Sequence, residues 1–492
     1  MPTVLFISPK CVLDRRSGAA VQMRTTLEVL ASRGWSCHSI GMTLFDGNEE
    51  FPIGSLVGKD NVRDENLGKF FRVEENGVHH QLFYTKSTVD GNAEQAELEA
   101  FGHRAVQRMA KLKPDIMLTY GSGGLLQGFV NAASKLGTKK IFYLPNPNYK
   151  KPAIFKDFDH VWCPTAAFAQ MYRERMGIDP GVFRSVLRPN SLVAPEDNIA
   201  ASDVTKRHQG FITFVNPNPA KGATIFLRLL DLASRERPDL MFLAIESRTS
   251  LEEWDTMGID LGNARNLWWI RNQKDMRPVY QRTSALLFPS YWPEASGRSV
   301  AEAQLAGIPV LASNRGGIPE QMNGAGYVFD LPERCLEQYG YLPKDHEVRP
   351  WLDTLARLMD EPQTYWDASR RAVQATRHLH PAVRYDQVEQ LFKAVLGEAD
   401  WPADADPVPT PPIGVPLGEA NGNAHAEPGP PIREADIARD AVIPASGSSA
   451  DAGQSAAPSS DTNGETTHMS AASTDEQGAA SKRDSRENRM KE

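Results

Sequence analysis

The 492 residues exceed what one hydrophobic core organises, so two or three folding units are expected, and two is the favoured count. With 54 Lys and Arg against 62 Asp and Glu, the formal net charge of −8 provides no overall basic footprint, which argues against non-specific nucleic-acid binding. The four cysteines, Cys11, Cys37, Cys163 and Cys335, match no metal-ligand spacing and are too few to staple a chain of this size, so they read as buried thiols of a reducing compartment.

The opening segment MPTVLFISPKC is a short apolar run ended by Pro9 and lacks the basic start and length of a signal peptide; it is expected to be the first strand. Behind it, Ser17-Gly18-Ala19-Ala20 leads into a helix containing Arg24, where Gly18 permits close approach of a ligand and equally suits a plain helix entry. Residues from about 46 to 95 interrupt the regular pattern with a polar segment and a hairpin around Glu75, Asn76 and Gly77, and His79 and His80 are expected at its surface. The strand ending in Tyr120, Gly121 and Gly123 follows, then KIFYL and HVWCPT. A polar, weakly patterned stretch near Pro189 to Gly210 marks the hinge.

A second series of apolar runs follows, ITFVN, LMFLAI, NLWWI, ALLFPS and IPVLAS. Continuous hydrophobicity suits strands covered on both faces, and alternation with helix-like stretches implies parallel sheets with right-handed crossovers. The expected fold class is therefore α/β, with two doubly wound, Rossmann-like parallel-sheet domains facing a cleft, at 1–195 and 196–400. A last helix, about 382–398, places Val383, Val388, Leu391, Phe392 and Val395 on one face and could pack back on the first domain. Residues 401–492, rich in Pro, Ala, Ser and Gly, cannot bury enough apolar surface to offset chain entropy and are expected to be disordered. No window approaches ~18 uninterrupted apolar residues, so no transmembrane segment is expected, a peripheral membrane contact stays open, and the expected location is cytoplasmic.

The chemistry concentrates in ALLFPSYWPEASGRSVAEAQLAGIPVLASNRGGIPE. Ligands of open parallel sheets bind beyond the carboxyl ends of the strands, where the loop from Ser290 to Gly297 falls. Glu294 should precede the helix and Glu302 lie in its first turns, so both carboxylates can face one ligand. The amides of Gly297, Arg298 and Ser299 at the helix start, with the helix dipole and the Arg298 guanidinium, form an anion cradle suited to a diphosphate. The DFD at 157–159 and the DAD at 404–406 imitate a metal motif without supporting context, and no metal site is expected.

The order strand, Pro-Ser, Glu, x-x-Gly-Arg, Glu-Ala, Ala-Gly-Ile-Pro-Val, strand, Gly-Gly-x-x-Glu resembles the GT-B glycosyltransferases called group 1, or GT4. The resemblance implies that Glu302 holds the donor ribose, that Glu294 contacts the transferred sugar, and that Lys221, after the strand ITFVN, neutralises the leaving diphosphate. It implies transfer from a nucleotide-diphosphate sugar to an unidentified acceptor, with retention at the anomeric carbon and no cofactor. The sequence departs from the family where Asn216-Pro217-Asn218 replaces an arginine, where Gly18 stands in place of a glycine pair, and where Tyr120 occupies a region that carries histidine. Arg298 or Asn216 is expected to compensate for the arginine. A sugar-nucleotide epimerase or phosphorylase, or a non-catalytic nucleotide-sugar-binding module, are the alternative readings.

Overall fold

In the computed structural model, the described residues are 1–47, 50–247, 254, 264–273 and 275–401. Of the tail expected at 401–492, Trp401 is described, its ring 5.2 Å from His160, and the rest, with DAD at 404–406, lies outside the described residues. The first sheet contains β1 (Thr3–Ile7), β2 (Ser36–Met42), β3 (Phe70–Glu75), β4 (Val78–Phe83), β5 (Ile116–Thr119), β6 (Lys139–Tyr143), β7 (His160–Cys163) and β8 (Gly181–Val182). Their order is β3-β4-β2-β1-β5-β6-β7-β8. The second sheet contains β9 (Phe211–Val215), β10 (Phe242–Ile245), β11 (Leu267–Ile270), β12 (Thr283–Phe288), β13 (Val310–Ser313) and β14 (Tyr327–Phe329), in the order β11-β10-β9-β12-β13-β14. Neighbours pair in parallel throughout, save the antiparallel β3–β4 hairpin. β5, β10 and β13 are buried at every position, because helices cover both faces and no water-facing register remains.

The first sheet is flanked by α1 (Gly18–Ser32), α2 (Gln95–Leu112), α3 (Gly124–Leu136) and α4 (Ala166–Met176), and the second by α5 (Ala223–Glu236), α6 (Arg298–Leu305), α7 (Ile318–Met322), α8 (Asp345–Asp360) and α9 (Pro362–Thr376). The last helix, α10 (Pro381–Val395), returns to the first sheet, where the Phe392 ring lies 6.2 Å from Trp35 and 5.5 Å from Trp162. Val388, Leu391, Phe392 and Val395 join that core, but Val383 is 41% exposed, because the first turn of α10 presents it away from the sheet. Among the described residues no helix is long and apolar enough to cross a membrane. All four cysteines are free and buried.

Each sheet reverses its direction of growth once. In the first, β1 lies between β2 and β5; in the second, β9 lies between β10 and β12. A crevice opens beyond the carboxyl ends of the two strands at such a switch point, since their following connections depart to opposite faces. The loops after β1, β5, β9 and β12 are therefore the positions from which this fold can present side chains to a ligand.

The β3–β4 turn has positive φ at both Asn76 (50°) and Gly77 (76°), the backbone of a two-residue type I′ hairpin. The expectation of surface histidines holds for His79 alone. β4 is not a free hairpin arm but pairs in parallel with β2, so its alternation turns Val78, His80 and Leu82 inward. His80 is fully buried, with Nδ1 2.7 Å from the Ser39 hydroxyl. Burial, reinforced by the positive charges of Arg24 and Arg188, pushes its imidazole down to about 3. Folding thus requires neutral His80, whereas the unfolded chain takes up the proton near the ordinary value of about 6.5. The stability that this neutral histidine secures is complete above about pH 6.5 and is lost as pH falls toward 3. Urea midpoints measured at pH 7 and pH 5 should fall more steeply in the wild type than in His80→Gln, whose side chain cannot charge; parallel profiles would exclude His80 as a source of acid sensitivity.

Candidate functional site

At the carboxyl end of β9 the chain turns through Asn216, which adopts a left-handed φ of 64°, into a short turn over Pro219–Lys221. The Asn218 side chain accepts the Lys221 N–H at 3.1 Å and fixes this turn, so one of the residues replacing the expected arginine has a local structural task. Gly222 then starts α5 at a φ of 84°. A Cβ there would lie 1.9 Å from the Pro289 carbonyl oxygen, so glycine is required both by conformation and by the approach of the loop after β12.

Contact between the two loops is made largely through the Ala220 carbonyl. It accepts the N–H groups of Tyr291 and Trp292, both at 3.0 Å. This stitching brings the Lys221 ammonium onto Glu294 Oε1, which also accepts from the Ser290 hydroxyl at 2.8 Å. Lys221 and Glu294 are partly buried, where an ion pair is worth more than at an open surface.

α6 begins at Arg298, and its first turn has no side-chain cap. Its amides thus point, with the positive end of the helix dipole, toward the same space. Glu302, one turn further, is buried and held at both oxygens: Tyr280 donates its hydroxyl to Oε2 at 2.9 Å and Arg298 Nε donates to Oε1 at 3.1 Å. Arg298 also donates through Nη1 to the Val186 carbonyl of the first half at 2.8 Å. Part of this guanidinium is thereby committed to joining the halves, which limits its use as a substitute for the arginine that Asn216-Pro217-Asn218 replaces.

All ten residues singled out from the sequence, Glu294, Lys221, Glu302, Gly297, Arg298, Ser299, Asn216, Gly18, Arg24 and Tyr120, line one cavity of about 1180 Å³. Its opposite wall comes from the loops after β1 and β5. Tyr120 is 4% exposed, its ring 5.2 Å from Phe6, and burial raises its phenol well above the ordinary range. Arg24, 2% exposed, donates through Nη1 to the Leu13 carbonyl at 3.3 Å. Gly123, expected beside Tyr120, is not on the wall, while Gly121 and Ser122 are. In the DFD segment, Asp159 pairs with Lys140 at 2.9 Å across neighbouring strands, the part of an ordinary surface carboxylate.

Two functional positions escaped the sequence. Tyr280, in the short helix before β12, orients Glu302, and nothing in the run RPVYQR marks it for that task. Glu320, the last residue of the quoted Gly-Gly-x-x-Glu, faces away from the cavity: its two oxygens accept the N–H groups of Ala166 (2.9 Å) and Ala167 (2.7 Å), capping α4 of the first half, and the Arg184 guanidinium lies 3.0 Å from Oε1. Nothing local to the Gly-Gly-x-x-Glu pattern marks its carboxylate as the cap of a helix in the other half.

Residues 198–372 match the family described as glycosyl transferases, group 1. The solved structures similar to the chain share its two-sheet plan. One is the Anabaena protein HepE in complex with UDP and glucose, at a TM-score of 0.56 and 12% identity over 80% of this chain and 100% of that one. Another is the pneumococcal O-GlcNAc transferase GtfA in complex with UDP and GlcNAc, at a TM-score of 0.57 and 11% identity over 80% of this chain and 99% of that one. The fold is GT-B, and the match to the group 1 glycosyl transferases extends over residues 198–372, about a third of the chain. By sequence, the chain is 27% identical over 152 residues to a D-inositol 3-phosphate glycosyltransferase of Corynebacterium efficiens, covering 30% of this chain and 33% of that protein. It is 28% identical over 159 residues to spore coat protein SA of Bacillus subtilis, covering 30% of this chain and 42% of that protein. The chain thus spans less than half the length of these relatives.

Gly222→Ala should cost at least about 2 kcal/mol, combining backbone strain with displacement of the Pro289 carbonyl. In the folded fraction it should also loosen the Lys221–Glu294 pair, because Lys221 moves with the turn. Denaturant titration and calorimetry check this; a variant with wild-type stability would show that the two loops are not held at van der Waals contact.

Proposed function

We propose that the chain is a glycosyltransferase that moves a sugar from a nucleoside diphosphate sugar to an acceptor, and that the cleft described above is its active site. The observation carrying this reading is the convergence of Lys221, Glu294 and the uncapped start of α6 at the switch point of the second sheet. Support comes from the group 1 match of residues 198–372 and from the UDP named in the complexes of HepE and GtfA, which makes a UDP-sugar the first donor to assay.

Transfer breaks the bond between the sugar C1 and the leaving diphosphate oxygen and forms a bond from C1 to the acceptor oxygen. Negative charge grows on the diphosphate as positive charge spreads over the sugar. In this reading the Lys221 ammonium and the amides of Gly297, Arg298 and Ser299 stabilise the diphosphate, which removes the need for a metal ion. Lys221 and Glu294 touch each other, so an arriving diphosphate draws the ammonium toward itself and leaves the Glu294 carboxylate for the sugar hydroxyls. Glu302, held at both oxygens by Tyr280 and Arg298, presents a fixed carboxylate to the ribose. Retention follows if the acceptor attacks from the face that the diphosphate leaves and its proton passes to the departing phosphate oxygen.

Lys221→Ala should lower the turnover of a UDP-sugar by ~10²–10³, the usual loss for one preorganised donor. Wild-type turnover should persist in EDTA, and an unchanged rate in the folded variant, or complete loss in chelator, would remove that part of the reading. Product configuration, followed by NMR from the first turnovers, should match that of the donor; an inverted product would overturn front-face attack. UDP binding without transfer to any acceptor would point instead to a binding module.

A further inference from the structure

Seven side-chain nitrogen and oxygen atoms among the described residues are buried without a hydrogen-bond partner. Five of them, Nε and Nη2 of Arg16, Nε of Arg24, Nε of Arg188 and Oη of Tyr120, belong to four residues on the first-domain wall of the cleft. None belongs to the second-domain wall. A buried polar group left without a partner costs about 1–3 kcal/mol, and more when charged, so its concentration on one wall calls for a compensating function.

Asp46, Glu75 and Asp90 line the same wall, Asp90 paired with Lys10 at 2.6 Å, so it is the unused donors of the guanidiniums rather than a net charge that single this wall out. Arg188 has a carboxylate partner, Glu28, at 2.5 Å. Arg16 Nε lies 3.8 Å from Asp14. Arg24 has no carboxylate within ion-pair distance among the described residues, and its one hydrogen bond, to the Leu13 carbonyl at 3.3 Å, uses one of the five N–H donors of a guanidinium. Burial first, and the charge of Arg188 second, push Arg24 down to about 10, still charged at neutral pH. Three guanidiniums that supply only donors are matched by a ligand that supplies only acceptors and brings negative charge. A carboxylate has two such oxygens; a phosphoryl group has three, disposed to receive from more than one guanidinium.

We infer that this wall, at the switch point of the first sheet, binds a phosphoryl group carried by the acceptor. The inference rests on the proposed glycosyltransferase reading and deepens it: the phosphoryl group sits against Arg16, Arg24 and Arg188, and the nucleophilic hydroxyl of the same molecule extends past Tyr120 toward the donor sugar. Placing the acceptor anion here and the donor diphosphate at Lys221 and α6 gives each half of the molecule one anion to hold, on either side of the reacting carbon.

The test uses the full chain saturated with UDP, so that the second-domain anion site is filled, and titrates it with inorganic phosphate by calorimetry at constant ionic strength. Wild type should bind one phosphate. Arg16→Gln and Arg24→Gln should each weaken that binding at least tenfold while UDP affinity stays within twofold, with thermal melts confirming the fold; if Arg24→Gln fails to fold, Arg16→Gln decides. Unchanged phosphate affinity in a folded variant, no binding of phosphate to the UDP-loaded protein, or one-for-one displacement of UDP by phosphate would each overturn the inference and leave the donor reading intact. Should UDP fail to bind while phosphate is still captured and then lost in the variants, the donor reading falls and the phosphoryl site stands.

Discussion

The arrangement of the site depends on a single carbonyl oxygen. Ala220, in the turn after β9, accepts the N–H groups of Tyr291 and Trp292 in the loop after β12 at 3.0 Å, with the Ser290 hydroxyl a longer third donor at 3.5 Å. Two loops that leave the sheet toward opposite faces are tied at their tips by backbone bonds, at the one place in an open sheet where a crevice must form. The Lys221–Glu294 pair follows from this tie. An ammonium and a carboxylate on separate flexible loops would gain little from meeting at a wet surface, because ordering two long side chains offsets most of the Coulomb gain. Once the backbone has brought the loops together, that ordering cost is largely met by the fold, and both groups can respond to a ligand without the loops rearranging.

The two sheets repeat this logic with opposite chemistry. The switch point of the second sheet carries two carboxylates beside a helix start, Glu294 paired with the Lys221 ammonium and Glu302 with the Arg298 guanidinium. That of the first carries guanidiniums whose donors are only partly used, beside a buried phenol. The switch point of the second sheet is electrostatically self-consistent as it stands, whereas that of the first bears donor capacity that the protein leaves unmatched. A cleft built this way has a balanced wall and an unbalanced wall, and the difference cannot be read from the net charge of the chain, which is negative.

How far the sequence revealed this varied with the range of the interaction. Strand placement was legible because parallel strands buried on both faces leave unbroken apolar runs, as in IMLT, FLAI and VLAS. Glu294 and Glu302 were legible as candidates because they follow a recognisable strand at short range, and Lys221 because its loop after ITFVN resembles that of the group 1 transferases. What stayed hidden depends on pairing between distant segments. His80 reads as a hairpin-surface residue until β4 docks beside β2, and the parity of that pairing alone decides which of two adjacent histidines goes inside. Val383 satisfies helical spacing and still faces water, because periodicity defines a stripe but not where along a helix the neighbouring sheet begins. Tyr280 and Glu320 act on partners 22 and about 154 residues away, contacts for which no local pattern exists.

Glu320 has a larger consequence than its distance from the cavity suggests. Its capping of α4 belongs to a seam in which the Thr165 hydroxyl donates to the Ala295 carbonyl at 2.8 Å, Arg298 donates to the Val186 carbonyl, and the Ser185 and Ser296 hydroxyls lie 3.2 Å apart. On the second-domain side, every one of these contacts attaches to α7 or to the segment from Ala295 to Arg298, immediately after Glu294. The first half is thus fastened to the loop that carries the site rather than to a remote part of the second sheet. Separating the halves would pull on the backbone beside Glu294 and free the Arg298 guanidinium, which also orients Glu302. Interdomain placement and site geometry cannot change independently in such a structure, because the contacts that join the halves also anchor the backbone beside Glu294 and the guanidinium that orients Glu302.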